Sequence, residues 1–227
     1  MDFTTWEPVY GRILDDFGFD RTGDERARDA LADLVEPFDR DRLNWAGATV
    51  AVCGAAPTLD DELDRLDAPD VDVVVAASTA ADAVRDAGFD LDLMVTDLDK
   101  NPETAVELTE SGVPVAAHAH GDNLPAVREW VPRFDADHVL GTTQAAPVGP
   151  VVNWGGFTDG DRAAFVADEL GAKRLVFAGW DFDDPTVDAM KARKLRWAER
   201  LLRWLERRRE ERFSVLDGRR DGIDPLP

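Results

Sequence analysis

Strand and helix patterns alternate through most of the 227 residues, and the strand segments are short, nearly continuous apolar runs. Each run is followed by a polar or glycine-rich segment. Together these observations predict an α/β protein with a mostly parallel sheet covered by helices on both faces. That is a Rossmann-like three-layer arrangement with an N-terminal helical element.

The N-terminal element covers 1–46, and its clearest helix is predicted from Asp24 to Phe38. Asp24 is a suitable N-cap, and Ala27, Ala30, Leu31, Leu34, Val35 and Phe38 form an apolar stripe at helical spacing. The α/β domain is assigned to 47–227. Its strands are predicted at Thr49–Cys53, Val71–Ala76, Leu91–Val95, Val113–Ala117, Asp137–Leu140 and Arg174–Ala178. Helices are expected at Leu59–Leu66, Thr79–Ala87, Pro102–Ser111, Asn123–Val131 and Gly160–Leu170, with a long arginine-rich helix over Thr186–Glu211.

Composition bounds the setting. Asp and Glu number 47 against 26 Lys and Arg, a formal net charge of −21. That sign argues against a nucleic-acid partner, because such proteins must neutralise phosphates. Only four of the 26 basic residues are lysine. An acidic, lysine-poor surface fits a protein working in molar salt, where the Debye length shrinks to about 3 Å. No apolar run approaches the roughly 20 residues of a membrane span, and the N-terminus shows no secretory pattern. The single cysteine, Cys53, reads as a small buried hydrophobe in a cytoplasmic protein.

Ligands of parallel α/β sheets bind outside the carboxyl ends of the strands. The segments expected there are Gly54–Thr58, Thr96–Asp99, His118–Asn123, Gly141–Gln144 and Gly179–Asp184. In Thr96-Asp97-Leu98-Asp99 the two carboxylates sit at i and i+2, on one side of an extended segment and about 6.6 Å apart. Their repulsion is relieved by a hard divalent cation, and Mg²⁺ characteristically bridges one or two carboxylates to substrate phosphates. The bland alternative, two solvated loop acids, competes in a chain with 47 of them. In His118-Ala119-His120-Gly121-Asp122-Asn123, Asp122 is the candidate for a further metal or hydroxyl ligand. The histidines are candidates for phosphate or substrate contacts, against a structural strand-end role.

The turn Asn153–Arg162 carries paired glycines into a helix start. Gly156 allows close backbone approach, and Thr158 and Asp159 are good capping residues. Lys191 and Lys194 lie three apart on one helix face and suit a polyphosphate. Trp154 and Trp180 could stack on a flat heterocycle or pack in the core. Neither a P-loop nor a G-x-G-x-x-G fingerprint occurs.

From Trp45 to Leu202 these segments together resemble the archaeal 6-hydroxymethyl-7,8-dihydropterin pyrophosphokinase family, itself related in fold to the catalytic domain of thiamine pyrophosphokinase. The residues carrying the resemblance are Gly54-x-x-Pro57-x-Leu59, Thr96-Asp-Leu-Asp99, His118-Ala-His-Gly-Asp-Asn123, Gly155–Ala163, and Gly179-x-Asp181-Phe182 with Lys191 and Lys194. Two departures stand out: Ala77-Ser78-Thr79-Ala80 replaces an Ala-Asp-Gly-Ala-like segment, and Lys100 stands where a glycine is usual.

The resemblance implies transfer of pyrophosphate from ATP to a reduced pterin, release of AMP, dependence on Mg²⁺, and a place in folate or tetrahydromethanopterin synthesis. It implies Asp97, Asp99 and Asp122 as metal ligands and catalytic residues, with His120. Gly54, Pro57, Thr96, His118, Asn123, Gly156, Thr158, Asp159, Asp181, Lys191 and Lys194 are the implied substrate or nucleotide contacts. The implied partners are small molecules, with self-association left open. The rival readings are a thiamine pyrophosphokinase-like activity, an Asp-x-Asp phosphatase with Asp97 as nucleophile, and a non-catalytic nucleotide- or metal-binding module.

Overall fold

The computed structural model describes all 227 residues. Six parallel strands form one sheet in the order β5-β4-β3-β2-β1-β6. They are β1 (Thr49–Cys53), β2 (Val73–Ala77), β3 (Leu93–Thr96), β4 (Val115–Ala119), β5 (Val139–Thr143) and β6 (Arg174–Ala178). Neighbours pair in parallel throughout, as in Val50 opposite Val73 and Val50 opposite Leu175.

Eight α-helices cover the sheet: α1 (Phe3–Phe17), α2 (Arg21–Ala32), α3 (Leu59–Glu62), α4 (Ala80–Asp86), α5 (Pro102–Glu110), α6 (Leu124–Trp130), α7 (Asp159–Glu169) and α8 (Ala189–Arg208). Alternate strand residues feed two cores. Val50, Val52, Val75, Leu93 and Val95 pack with α1, α7 and α8, whereas Ala51, Cys53, Val74, Ala76 and Met94 pack with α2 and the helices α3 to α6. Both faces are therefore dry, which is why the strands read as unbroken apolar runs and not as alternating ones.

The N-terminal segment belongs to this packing. Trp6, Val9, Tyr10 and Ile13 of α1 are essentially inaccessible and join the core on the α7–α8 side. Each such side chain contributes about 1.5–3 kcal/mol of transfer free energy.

All six strands and the helices between them are present, with shifted bounds: β2 to β5 each begin two residues after their expected starts, and α3 is α-helical only over Leu59–Glu62 before a 3-10 turn, Leu63–Asp67. Helix α2 begins at Arg21, and its N-cap is Asp20, whose side chain accepts a hydrogen bond from Thr22 N. Asp24 is instead a buried residue one turn inside the helix. The helix stops at Ala32, short of Phe38, because Leu34 and Val35 turn back onto the Leu31 carbonyl. Strands β4 and β5 run two to three residues past their predicted ends, to Ala119 and Thr143. His118, Thr142 and Thr143 are polar yet buried within the sheet, so the apolar signal stops before the ladder does.

Candidate active site

The carboxyl ends of the strands, with α2, α7 and α8, enclose one cavity of about 720 Å³. At its centre β3 ends in Thr96-Asp97-Leu98-Asp99. Leu98 adopts φ 66°, a left-handed conformation rare for a bulky residue. It is held there by burial and by a bond from its N–H to Thr96 Oγ1 (2.9 Å). The turn folds Asp99 back onto Asp97, with Asp99 N 3.3 Å from Asp97 Oδ1. A strained turn at a strand end is a common device for presenting functional groups.

A third carboxylate joins from α7. Asp159, the first residue of that helix, lies with Oδ2 3.4 Å from the Asp97 amide nitrogen. Its Oδ1 accepts from Arg162 Nη1 (2.8 Å), while Arg162 Nη2 donates to the Phe157 carbonyl. Burial pushes Asp159 up to about 7, reinforced by the Asp97 charge and opposed by Arg162. Burial and Asp97 likewise push Asp99 up to about 6. Burial works against ionised Asp97 too, yet hydrogen bonds from His120 and Asp99 hold it well below the usual range. His120 Nε2 stands 3.6 Å from Asp97 Oδ2.

Crowded oxygen ligands that resist full ionisation are the donor set a hard divalent cation relieves. Asp97, Asp99 and Asp159 supply carboxylate oxygens of the kind Mg²⁺ takes. They do not close into a preformed metal cage. Such an open set suits an ion that keeps waters and takes phosphate oxygens.

Three of the four lysines face this centre: Lys100, Lys191 and Lys194 all line the cavity. Helix α8 starts behind Asp188, which caps it through Lys191 N (2.7 Å), so the first turn directs Lys191 and Lys194 at the site. Desolvation in the cleft lowers the Lys191 pKa, and the Lys100 charge adds to the effect. Lys194 Nζ also sits over the Phe157 ring at 5.9 Å.

Of the residues singled out in the sequence, Gly54, Asp97, Asp99, His120, Asp122, Thr158, Asp159, Asp181, Lys191 and Lys194 line the cavity. Asp122 is an exposed residue of its rim, and the carboxylate bonded to the Asp97 backbone is Asp159. Thr96, His118, Asn123 and Gly156 are buried behind the wall and shape it, whereas Pro57 is exposed and does not line the cavity. Asn123 is the clearest case. Its Nδ2 donates to the carbonyls of Asp97 and His118 (both 2.7 Å) and its Oδ1 accepts from His120 N, which ties the ends of β3 and β4 together.

His118 is buried inside β4 with Nδ1 3.1 Å from Thr142 Oγ1, and desolvation drives its pKa well below the usual imidazole value. Thr96 braces the Leu98 turn. Gly156, at φ 93°, passes so close to α7 that a Cβ would meet Arg162 Cα at 2.4 Å.

Trp154 is a core residue, and Trp180 lines the cavity. Trp180 Nε1 donates to the Val52 carbonyl (3.0 Å), and its ring fills space that only glycine leaves at positions 54 and 160.

Sequence reasoning missed the wall supplied by the N-terminal segment: Phe19, Asp20, Gly23, Asp24 and Arg26. Asp24 anchors it, accepting from Tyr10 Oη (2.6 Å), Gln144 Nε2 (2.8 Å) and Gly121 N (2.7 Å). No local signal marks it, because Asp24 stands ahead of the apolar stripe that begins at Ala27 and reads there as a cap. Arg162 and Lys100 were also missed as lining residues, whereas Gln144 closes the Gly141–Gln144 segment expected on this rim.

A parallel α/β sheet with clustered carboxylates and lysines at its carboxyl rim defines a phosphoryl-transfer type of site. Comparison with known proteins makes this specific. Residues 25–186 match the sequence model of the family described as 6-hydroxymethylpterin diphosphokinase MptE-like. The chain is 39% identical to the 6-hydroxymethyl-7,8-dihydropterin pyrophosphokinase of Methanothermobacter thermautotrophicus, over 94% of this chain and 99% of that one. It is 37% identical to the protein of the same name from Pyrococcus furiosus, over 91% and 95%, and 30% identical to that of Methanocaldococcus jannaschii, over 94% and 99%. The chain belongs to the MptE-like 6-hydroxymethylpterin diphosphokinase family, and its class is that of a diphosphotransferase.

Proposed function

We propose that this chain transfers the β,γ-pyrophosphoryl group of ATP to the hydroxymethyl oxygen of 6-hydroxymethyl-7,8-dihydropterin and releases AMP, with Mg²⁺ as the required ion. The observation that carries the reading is the convergence of Asp97, Asp99 and Asp159 with Lys100, Lys191 and Lys194 on one cavity. The printed activity of the three relatives supports the acceptor.

In this reaction the acceptor oxygen bonds to the β-phosphorus as the bond from that phosphorus to the α,β-bridging oxygen breaks. The hydroxyl proton passes to a carboxylate of the site or to water. Asp97, Asp99 and Asp159 would hold Mg²⁺, which would neutralise charge on the phosphates. Lys100, Lys191 and Lys194 bind the polyphosphate oxygens and favour the charge that moves toward AMP. Arg162 fixes Asp159, His120 orients Asp97, and Asn123 holds both strand ends in place, so the site is organised before substrate arrives.

The two ends of the cavity differ. One lies at the strand-order switch between β1 and β6, where Gly54–Ala56 and Gly179–Asp181 meet. Nucleotides characteristically bind at such a switch, and we place ATP there. The other end, walled by Phe19, Phe157 and Gln144, is left for the pterin ring. Lysine depletion and the charge of −21 support work in a salt-rich cytoplasm.

Incubation with ATP, Mg²⁺ and 6-hydroxymethyl-7,8-dihydropterin in molar KCl, followed by identification of the nucleotide product, tests the proposal. AMP formed in step with the pterin diphosphate is the expected result. ADP, or orthophosphate without AMP, would sink it and return the phosphatase reading.

A further inference from the structure

Ser78 follows β2 in the left-handed region, at φ 51°, and lines the cavity. Only three residues other than glycine have positive φ, and two of them, Ser78 and Leu98, stand at the ends of adjacent strands on this rim. The conformation is imposed from several sides. Ser78 N donates to the Val95 carbonyl (2.8 Å), and its own carbonyl accepts from Ala81 N (3.0 Å) and Asn101 Nδ2 (3.4 Å). Asn101 is itself fixed by Asp82 Oδ2 (2.8 Å).

Everything polar on Ser78 is thus engaged except its hydroxyl. The side chain is buried (7% exposed), and Oγ has no hydrogen-bond partner. Buried hydroxyls rarely stay unpaired, and a strained residue with a free donor at a cavity wall marks a contact completed by a ligand. The Asn101 contact places Ser78 beside Lys100, on the lysine-bearing side of the cavity, and Ala77 and Ser78 follow Gly54–Ala56 around the rim. An anionic oxygen is the acceptor that such surroundings attract.

We propose that Ser78 is a nucleotide-binding residue whose Oγ–H donates to a phosphate oxygen of ATP. The assignment rests on ATP occupying the β1–β6 end of the cavity. It also explains why a non-glycine residue is kept at a positive φ where glycine would sit without strain. Oγ is shielded within the wall, so the contact needs the side chain to turn about χ1 toward the cavity it lines as the nucleotide enters.

Calorimetric titration of the parent chain, Ser78→Ala and Ser78→Gly with α,β-methylene-ATP and Mg²⁺ in molar KCl decides the matter. Loss of a hydrogen bond to a charged oxygen should weaken binding about tenfold in both variants. The affinity for 6-hydroxymethyl-7,8-dihydropterin, followed by its fluorescence, should stay unchanged. Ser78→Gly should melt close to the parent, because relief of the positive φ offsets the added freedom of glycine in the unfolded chain. Parent-like nucleotide affinity in either variant overturns the proposal, as does a loss confined to the pterin. A parent chain that binds the analogue with the Ser78 dependence yet forms no AMP from ATP leaves this contact standing and removes the pyrophosphokinase reading instead.

Discussion

Asp159 and Asp122 both line the cavity but sit in different surroundings. Asp159 is buried against Asp97 and paired to Arg162, whereas Asp122 sits on the exposed rim. Asp97→Asn, Asp99→Asn and Asp159→Asn should each lower the rate of AMP formation by roughly a hundredfold or more, with far-UV circular dichroism unchanged. Asp122→Asn should stay within about tenfold of the parent, the size of a lost neutral hydrogen bond. A collapse in Asp122→Asn with normal turnover in Asp159→Asn would reverse the assignment.

Cys53 offers a second check at this scale. Burial pushes its thiol up to about 12, so the nucleophilic thiolate is absent at pH 8. A disulfide reagent such as dithionitrobenzoate should label it only after unfolding. The sign for stability follows from the same shift. The folded thiol ionises later than the unfolded one, so this contribution is complete below about pH 9, the ordinary thiol value, and is lost as pH rises beyond it.

The residue types at the centre were legible because aspartates after an apolar strand stand out. The partition between cavity wall and scaffold was not. His118 and Asn123 look like ligands in sequence, but Asn123 spends its amide on the chain itself and His118 lies buried inside β4. Hydrogen-bond economy of that kind depends on strands that are distant in sequence.

At the scale of elements, the strands were readable to within two or three residues at either end, since double-sided burial leaves a plain apolar signature. The misplaced ends were those of β4 and β5, where buried polar side chains satisfy one another across the ladder, as His118 and Thr142 do. The start of α2 was misjudged because Asp24 resembles a cap. Its real partners come from α1, from the loop after β4 and from the residue after β5.

Helix α8 supplies a prediction here. Glu206 is buried (2% exposed) and accepts hydrogen bonds from Arg220 and from Phe213 N (2.8 Å), and these bonds dock the C-terminal segment. Burial opposes its ionisation, but the bonds from Arg220, Phe213 and Arg203 prevail and lower its pKa. The stabilisation is therefore present above the unfolded value near 4.5 and is lost as pH falls below it. Glu206→Gln should cost about 2 kcal/mol in urea melts at pH 7, because Arg220 loses its buried counter-charge and keeps only the more exposed Asp217 (2.6 Å). The deficit should shrink toward pH 3.

For the whole molecule, the dominant physical fact is the charge of −21 on 227 residues. Self-repulsion of that size opposes compaction until salt screens it. The melting temperature should rise steeply between about 0.1 M and 1 M KCl, the range over which the Debye length falls from about 10 Å to about 3 Å. A melting temperature insensitive to KCl would mean that the acidic surface has no such role.

The sheet order has a further consequence, for the birth of the protein. The first five strands lie in chain order from β1 outward, so each can pair with its predecessor as it emerges from the ribosome. The sixth, Arg174–Ala178, pairs with the first on its other side. Until the chain has been made past Ala178, the Val50–Cys53 edge has no partner, and an apolar edge is the template on which chains aggregate. Gly54 and Gly179, which press together at the β1–β6 end of the cavity, meet only at that last step. A nascent chain therefore has its carboxylate turn early and its complete β1–β6 crevice late, with that apolar edge open in the interval.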